Sequence, residues 1–410
     1  MNAKVKPQVR DIVVCAVLAA AAFIAHRDVL NCDFVNCDDP LYVSKNLRVQ
    51  QGLSLDNIRW AFTFPLSSWT PLDTISHMAD CQFFGLNPRG HHGTNLAFHV
   101  ANTVLLFLLL RSLTGSVWRS AFAAALFGVH PINAGAVAWI SSRKDVLSTF
   151  LGLLTLASYA HYALNPRWHR YALAVFLFCL ALMAKPTMVM LPVIFLLLDV
   201  WPLRRCTSPL IPLQRGTLLQ RGTLPLDSSL EETDYGRFPG RSITMLLREK
   251  IPLFGISAVF ALLNFFTQRA AGSVMPSSWY PFWMRVGNAL VSTIAYLSKM
   301  AWPSNLTILY PHPDVGIPKW EVLGAVLLIA LITAASPKTI RSHGYIFAGW
   351  LWYLAALFPV SGVIAHLESS AMADRYAYLS LIGVYITVVW GVANLAAWWA
   401  PGGKPMSCPD

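Results

Sequence analysis

Two adjacent carboxylates, Asp38 and Asp39, followed by Pro40 and Tyr42, stand directly after the first apolar run of the chain. Carboxylates beside hydrocarbon are costly unless they serve a purpose, although Asp-Asp-Pro is also ordinary turn chemistry. Further along, charged residues recur at the ends of apolar runs: His91-His92, Arg143-Lys144-Asp145, Lys185 before Pro186, and Asp374-Arg375-Tyr376. Lysine offers a point charge to a phosphate and arginine a bidentate fork. A carboxylate can take the proton of an acceptor hydroxyl as that hydroxyl attacks the anomeric carbon of a sugar. Glycoside hydrolysis needs a second carboxyl group to protonate a poor leaving group. A phosphate leaves as a stable anion, so cations replace that acid. One carboxylate and several cations at a water–lipid boundary therefore suit a single in-line displacement on a lipid-linked sugar phosphate. Each residue also has a plainer reading: Lys185 as a snorkelling span end, His91 and His92 as caps, Arg375 as the partner of Asp374.

The elements that must position these groups follow from composition. Of 410 residues, 55% are hydrophobic and only 12% charged, against about 25% charged in ordinary globular chains. Several apolar runs reach the roughly 20 residues that a bilayer demands. The fold expected is an all-α, polytopic membrane helical bundle of about ten or eleven spans. The net charge of +11 is no nucleic-acid footprint, because the basic residues sit in short loops between apolar runs and read as positive-inside determinants. Cys32, Cys37 and Cys81 fall in the opening loop, where one pair would bridge in an oxidising compartment. No Cys/His zinc spacing occurs.

The opening loop, 31–92, is expected outside, after an uncleaved N-terminal anchor over 12–25. Within it, Thr70-Pro71-Leu72-Asp73 reads as a helix start with Asp73 in a capping box, and Gly85 as the stop. Leu72, Ile75, Ala79 and Phe83 share one face of that helix, and Asp73, His77 and Asp80 the other. Such a helix lies flat on a membrane. Its polar triplet reads as a solvated or hydrogen-bonded face, or else as metal ligands. His99, inside the following span, reads as a core residue.

The chain divides into an N-terminal membrane module over 1–203, a flexible basic loop over 204–250 containing the duplication Gln-Arg-Gly-Thr-Leu, a C-terminal membrane module over 251–400 and a tail over 401–410. The stretch 285–302 carries Arg285, Asn288 and Lys299 among its apolar residues. If it crosses, Arg375 falls in the cytosol. If it lies in the interface, Arg375 falls outside with the other candidate groups, which the positive-inside rule prefers.

The strings Asp38-Asp39-Pro-Leu-Tyr42, Trp69-Thr-Pro-Leu72, Phe84-Gly-Leu-Asn-Pro88, His91-His92-Gly-Thr-Asn95, His130-Pro131, Arg143-Lys-Asp-Val-Leu-Ser-Thr149, Met183-Ala-Lys-Pro186, Asp199-Val-Trp-Pro-Leu203 and Met372-Ala-Asp-Arg-Tyr376, taken in order, resemble the transmembrane-and-tetratricopeptide-repeat O-mannosyltransferases and their bacterial relatives, of the GT-C class. The resemblance implies an inverting glycosyltransferase that takes a sugar, with mannose the best guess, from a polyprenyl-phosphate donor, without a required cofactor or metal. It places the catalytic base in Asp38-Asp39, with Asp38 preferred. It gives Lys185 to the donor phosphate, with Arg143, Lys144 and Arg375 beside it, and Asp145, His91, His92, Asp374 and Tyr376 in support. Ser141-Ser142 departs from the Ala-Glu of that pattern. No repeats follow the last span, which leaves the acceptor, a protein or a glycan, to a separate acceptor-binding partner. The location implied is a bacterial inner membrane with the N-terminus cytosolic and the site on the periplasmic face. A flippase for lipid-linked glycans or a non-catalytic membrane scaffold are the competing readings.

Overall fold

The computed structural model describes residues 9–64, 66–205, 242–273, 281–312, 316–364 and 370–399. Most of the 204–250 loop and the whole 401–410 tail, for which flexibility was expected, lie outside the described residues. Long runs of Ala, Leu, Val and Phe can satisfy their backbone in lipid only as helices, and the chain is built accordingly. The principal helices are α1 (Val9–His26), α2 (Pro71–Phe84), α3 (Pro88–Thr114), α4 (Val117–Val129), α5 (Arg143–Leu164), α6 (Trp168–Ala184), α7 (Leu191–Val200), α8 (Ile243–Ala270), α9 (Phe282–Ala301), α10 (Lys319–Ala335), α11 (Ile340–Leu357) and α12 (Ala377–Trp399). Two short strands, β1 (Tyr310–Pro311) and β2 (Ser370–Met372), pair antiparallel.

The all-α polytopic bundle read from the sequence is therefore what folds. By length and composition, six segments of the described residues are fit to cross a membrane, or seven if α4 and the helix after Pro131, bent by 50°, are one span; α6 and Pro186–Val200 are apolar but shorter.

Ion pairs and hydrogen bonds fix which helix ends lie together. Asp11 of α1 lies 3.6 Å from Arg111 at the last turn of α3, and Arg205 after α7 meets Glu249 at the start of α8. These mark one end of the bundle. At the other end, Arg143 of α5 meets the first turn of α3, Lys185 after α6 meets Asp145, and Trp69 donates its backbone N–H to Asn264 of α8. Helix α9 does not run between these ends. Arg285, Asn288, Tyr296 and Met300 along it bond to Val363, Ala371, Ala373 and His130, all in connections on the second side, and Thr293 accepts from Tyr353 near the end of α11. It therefore lies along that side, and Arg375 comes to the same end as Asp38 and Lys185.

The main apolar core draws on both halves of the chain, from Leu18 to Trp390. Its tightest crossing joins α11 and α12, where a Cβ on Gly349 would fall 2.3 Å from the Gly383 carbonyl oxygen. Small residues allow such approach between membrane helices.

Candidate functional site

The acidic pair of the opening loop splits into two environments. Asp39 is fully buried. One of its carboxylate oxygens accepts from Val35 N at 2.8 Å, and the other from Ser141 N at 3.0 Å and from the Ser141 hydroxyl. Ser141, the departure from the family pattern, thus clasps the loop onto the start of α5. Asp38 is only half-buried, and its carboxylate acts electrostatically on Lys144. Lys144 in turn lies 4.8 Å above the Tyr42 ring. Of the two aspartates, Asp39 is spent on holding the loop and Asp38 is the one left facing a cation.

Arg143 corrects an expectation. It was expected to hold donor phosphate, yet its guanidinium is wholly enclosed and engaged at every nitrogen. It donates to Asp80 Oδ2 at 2.6 Å, to Ser76 Oγ at 2.8 Å, to the His91 carbonyl at 2.9 Å and to Asn95 Oδ1. With four of its five N–H donors spent on these partners, it fastens α2 and α3 to α5. His91 and His92 lie in the first turn of α3, which begins at Pro88. His91 Nε2 donates to the carbonyl of Gly85, the residue that ends α2, at 2.9 Å.

Two of the remaining cations, Lys185 and Arg375, line a partly open cleft together with Asp145 and Tyr376. Lys185 bonds to Asp145 and lies 5.7 Å from the Tyr376 ring centre. Burial pulls its pKa below the usual lysine value, and the Asp145 carboxylate pulls it back up. The Arg375 guanidinium stacks 4.5 Å from Trp139 and 5.0 Å from Tyr376. Asp374 faces away from this cleft. It accepts from Thr307 N at 2.9 Å and from the Tyr310 hydroxyl, and so pins the 307–310 connection. Tyr296 of α9 brackets the neighbouring turn, donating to the Ala373 carbonyl at 2.9 Å and accepting from its N–H at 3.1 Å.

Helix α2 also departs from expectation. Its bounds are those read from Pro71 and Gly85, but Thr70 makes no side-chain cap bond. The polar face, read as solvated or hydrogen-bonded or else as metal ligands, is the buried one, with Asp73, His77 and Asp80 all turned inward, while Phe83 is exposed. Burial raises the Asp73 carboxyl to about 7, against the opposing pull of Lys144 and Arg143. Burial likewise holds the His77 imidazole well below its ordinary value. Cys32 and Cys81 are free thiols, so no pair among the three opening-loop cysteines is bridged.

Several groups were not legible beforehand. Trp139, a wall for Arg375, carries no sequence signal that separates it from other aromatics, whereas Tyr42, singled out beside Asp38-Asp39, is the wall for Lys144. At the opposite end, Asp199, Arg205, Glu249 and Lys250 form a buried ion network around the Tyr159 hydroxyl. Its signal was the pairing of Asp199 inside an apolar run with the bases at the edges of the 204–250 loop.

A helical membrane bundle with a cation-lined cleft at the same end as an acidic opening loop defines the class. The curated proteins supply the relatives. Protein O-mannosyl-transferase Tmtc1 of Drosophila melanogaster is 33% identical over 186 residues, 43% of this chain and 22% of the relative. Protein O-mannosyl-transferase Tmtc2 of the same fly is 32% identical over 163 residues, 38% of this chain and 17% of the relative. Human protein O-mannosyl-transferase TMTC1 is 24% identical over 427 aligned residues, 93% of this chain and 46% of the relative. This chain is a relative of the TMTC-type protein O-mannosyl-transferases, and it spans less than half the length of each of these three. No family model and no solved structure matches it.

Proposed function

We propose that this chain is an inverting membrane glycosyltransferase that moves a sugar from a polyprenyl-phosphate donor to an acceptor hydroxyl. The observation that carries the reading is the meeting of a half-buried carboxylate, Asp38, with Lys144, Lys185 and Arg375 at one end of the bundle. The names of the relatives support mannose as the sugar and a protein as the acceptor. Asp38 takes the proton of the acceptor hydroxyl, the freed oxygen lone pair forms a bond to the anomeric carbon, and the sugar–phosphate C–O bond breaks. The phosphate departs with that electron pair. Lys185 and Arg375 hold the growing charge, which is electrostatic stabilisation of the leaving group. An ammonium has three donors, so Lys185 can keep Asp145 and still reach phosphate. Asp145 positions it, and Tyr376 and Trp139 hold the guanidinium plane of Arg375.

The reaction's charges are met by these side chains, and no metal is assigned to the reacting atoms. Arg111, Arg119, Arg170 and Arg341 in the end turns of their helices, with Arg167 and Lys338 in the connections, stand at the end opposite the cleft. By the positive-inside rule that end is cytosolic and the cleft extracytoplasmic, which fits an inner or plasma membrane. The test is transfer of radiolabelled sugar from a polyprenyl-phosphate donor to candidate peptides or glycans by the purified protein. Asp38→Asn is expected to abolish transfer while leaving donor binding; unimpaired transfer by that variant removes Asp38 as base.

A further inference from the structure

The chemistry above leaves the inner face of α2 unused. There His77, Asp80 and His91, all buried, turn candidate ligand atoms toward one another, all within 4.8 Å. His77 is fully enclosed, and neither ring nitrogen has a hydrogen-bond partner among the described residues. Asp73, one turn earlier, is equally enclosed with both carboxylate oxygens unpartnered, 3.7 Å from His77 Nε2. Buried polar atoms in native proteins are nearly always satisfied. Four orphaned atoms on two adjacent side chains require a missing partner.

His91 indicates which kind. Its Nε2 meets the Gly85 carbonyl at 2.9 Å, so that nitrogen carries the proton and Nδ1 keeps a lone pair. Nδ1 faces Asp80 Oδ2 at 3.5 Å, and two lone pairs repel unless a cation lies between them. A proton there would make an imidazolium in a site where Arg143 already pairs with Asp80 at 2.6 Å, and a second enclosed charge of that sign is costly. One ring N–H on a backbone carbonyl with the other nitrogen open is the pattern of a metal-ligating histidine. A carboxylate behind the ring is its other common form, and Asp73 stands so behind His77. Asp80 accepts from Thr94 and Arg143, two of a carboxylate's roughly four lone-pair sites.

We propose that His77, Asp80 and His91 form a divalent-metal site of the zinc type, with Asp73 supporting His77. Two imidazoles and a carboxylate favour zinc-like ions over magnesium or calcium, which take oxygen ligands. Tetrahedral bonds of about 2.0–2.2 Å set neighbouring ligand atoms about 3.4 Å apart, so side-chain rotations closing the cluster by on the order of 1 Å complete it. The ion clamps α2 to the start of α3 and so braces the wall from which Arg143 and the outer loop are hung. This site stands whether or not the chain transfers sugar.

The test titrates the purified full chain, tag removed and chelator-stripped, with cobalt(II) and then zinc. One equivalent of cobalt is expected, with visible d–d absorption that zinc abolishes and an X-ray absorption shell showing imidazole scattering. His77→Gln and His91→Gln, as monodisperse proteins, are expected to lose that equivalent, and Asp73→Asn to weaken it 10- to 100-fold. Folded wild-type protein that takes up no stoichiometric ion overturns the proposal. So does uptake without imidazole scattering, a result that needs no variant, or uptake that is undiminished in His77→Gln.

Discussion

Replacing Arg143 with methionine separates two roles that the same residue type could fill. The side chain is fully enclosed and donates to Asp80, Ser76, Asn95 and the His91 carbonyl. Methionine restores much of the volume but leaves the Asp80 carboxylate buried with Thr94 as its remaining side-chain donor. Removing one partner of a buried ion pair costs about 3–5 kcal/mol, and the three further acceptors add to that loss at about 0.5–1.5 kcal/mol each where no water replaces the guanidinium. We expect Arg143→Met to lose about 4 kcal/mol or more of folding free energy. At 1.4 kcal/mol per decade this shifts the folding equilibrium by about a thousandfold. Arg143→Lys keeps a charge for Asp80 but not the fork, and is expected to recover only part. The assay is unfolding equilibrium in bicelles by steric trapping, with donor KM measured on the surviving folded fraction. A variant that matches wild-type stability within about 0.5 kcal/mol while raising donor KM refutes the account and returns Arg143 to the phosphate.

Other perturbations report on the cleft and the frame. Asp38→Asn is expected to lower transfer about 10²- to 10⁴-fold, the range of a general base. Asp39→Asn should instead loosen residues 35–42, seen as faster amide exchange there, since Asp39 holds Val35 and Ser141. Lys185→Met should raise donor KM by about 10- to 100-fold, the worth of a charge-assisted bond of about 1.5–3 kcal/mol. Because burial lowers the Lys185 pKa, its charge is lost as pH rises at values below those for an exposed lysine. Donor affinity should therefore fall on the alkaline side, and Lys185→Arg, which stays charged, should remove that limb. Gly349→Val places a side chain against the Gly383 carbonyl; we expect at least about 1–3 kcal/mol of destabilisation, read by the same steric-trapping assay, with wild-type-like stability refuting the close crossing. The exposed thiols Cys32 and Cys37 are expected to react with an impermeant reagent added to intact cells; reaction only after the membrane is opened would reverse the orientation.

Helix identity was legible because hydrocarbon leaves the backbone no alternative. Pro71 and Gly85 set the bounds of α2, and the charged ends of the apolar runs announced where the bundle stops. The candidate groups were legible for the same reason, since a charge beside lipid stands out against its surroundings. Sequence could not assign them to partners. Arg143 and Lys144 are neighbours in the chain, yet successive helical positions point about 100° apart. One is sealed among α2 and α3 and the other faces Tyr42 and Asp38. The sequence left the polar face of α2 open in the same way. A polar stripe of Asp73, His77 and Asp80 reads the same whether water or a buried network satisfies it, and only the packing of α3 and α5 against that stripe chooses.

The sequence by itself determined that this is a helical membrane protein and that carboxylates and cations stand at the ends of its apolar runs. Those facts follow from local composition and from the cost of an unpaired backbone or charge in lipid. Tertiary structure chose between the two courses open to 285–302, of which the positive-inside rule preferred the interfacial one, laying α9 along the bundle's end so that Arg375 joins Lys185; it also made Asp39 a clasp beside the more open Asp38, and Arg143 a staple. Each of these depends on which distant segment satisfies a given polar atom, a choice settled by packing among helices far apart in the chain.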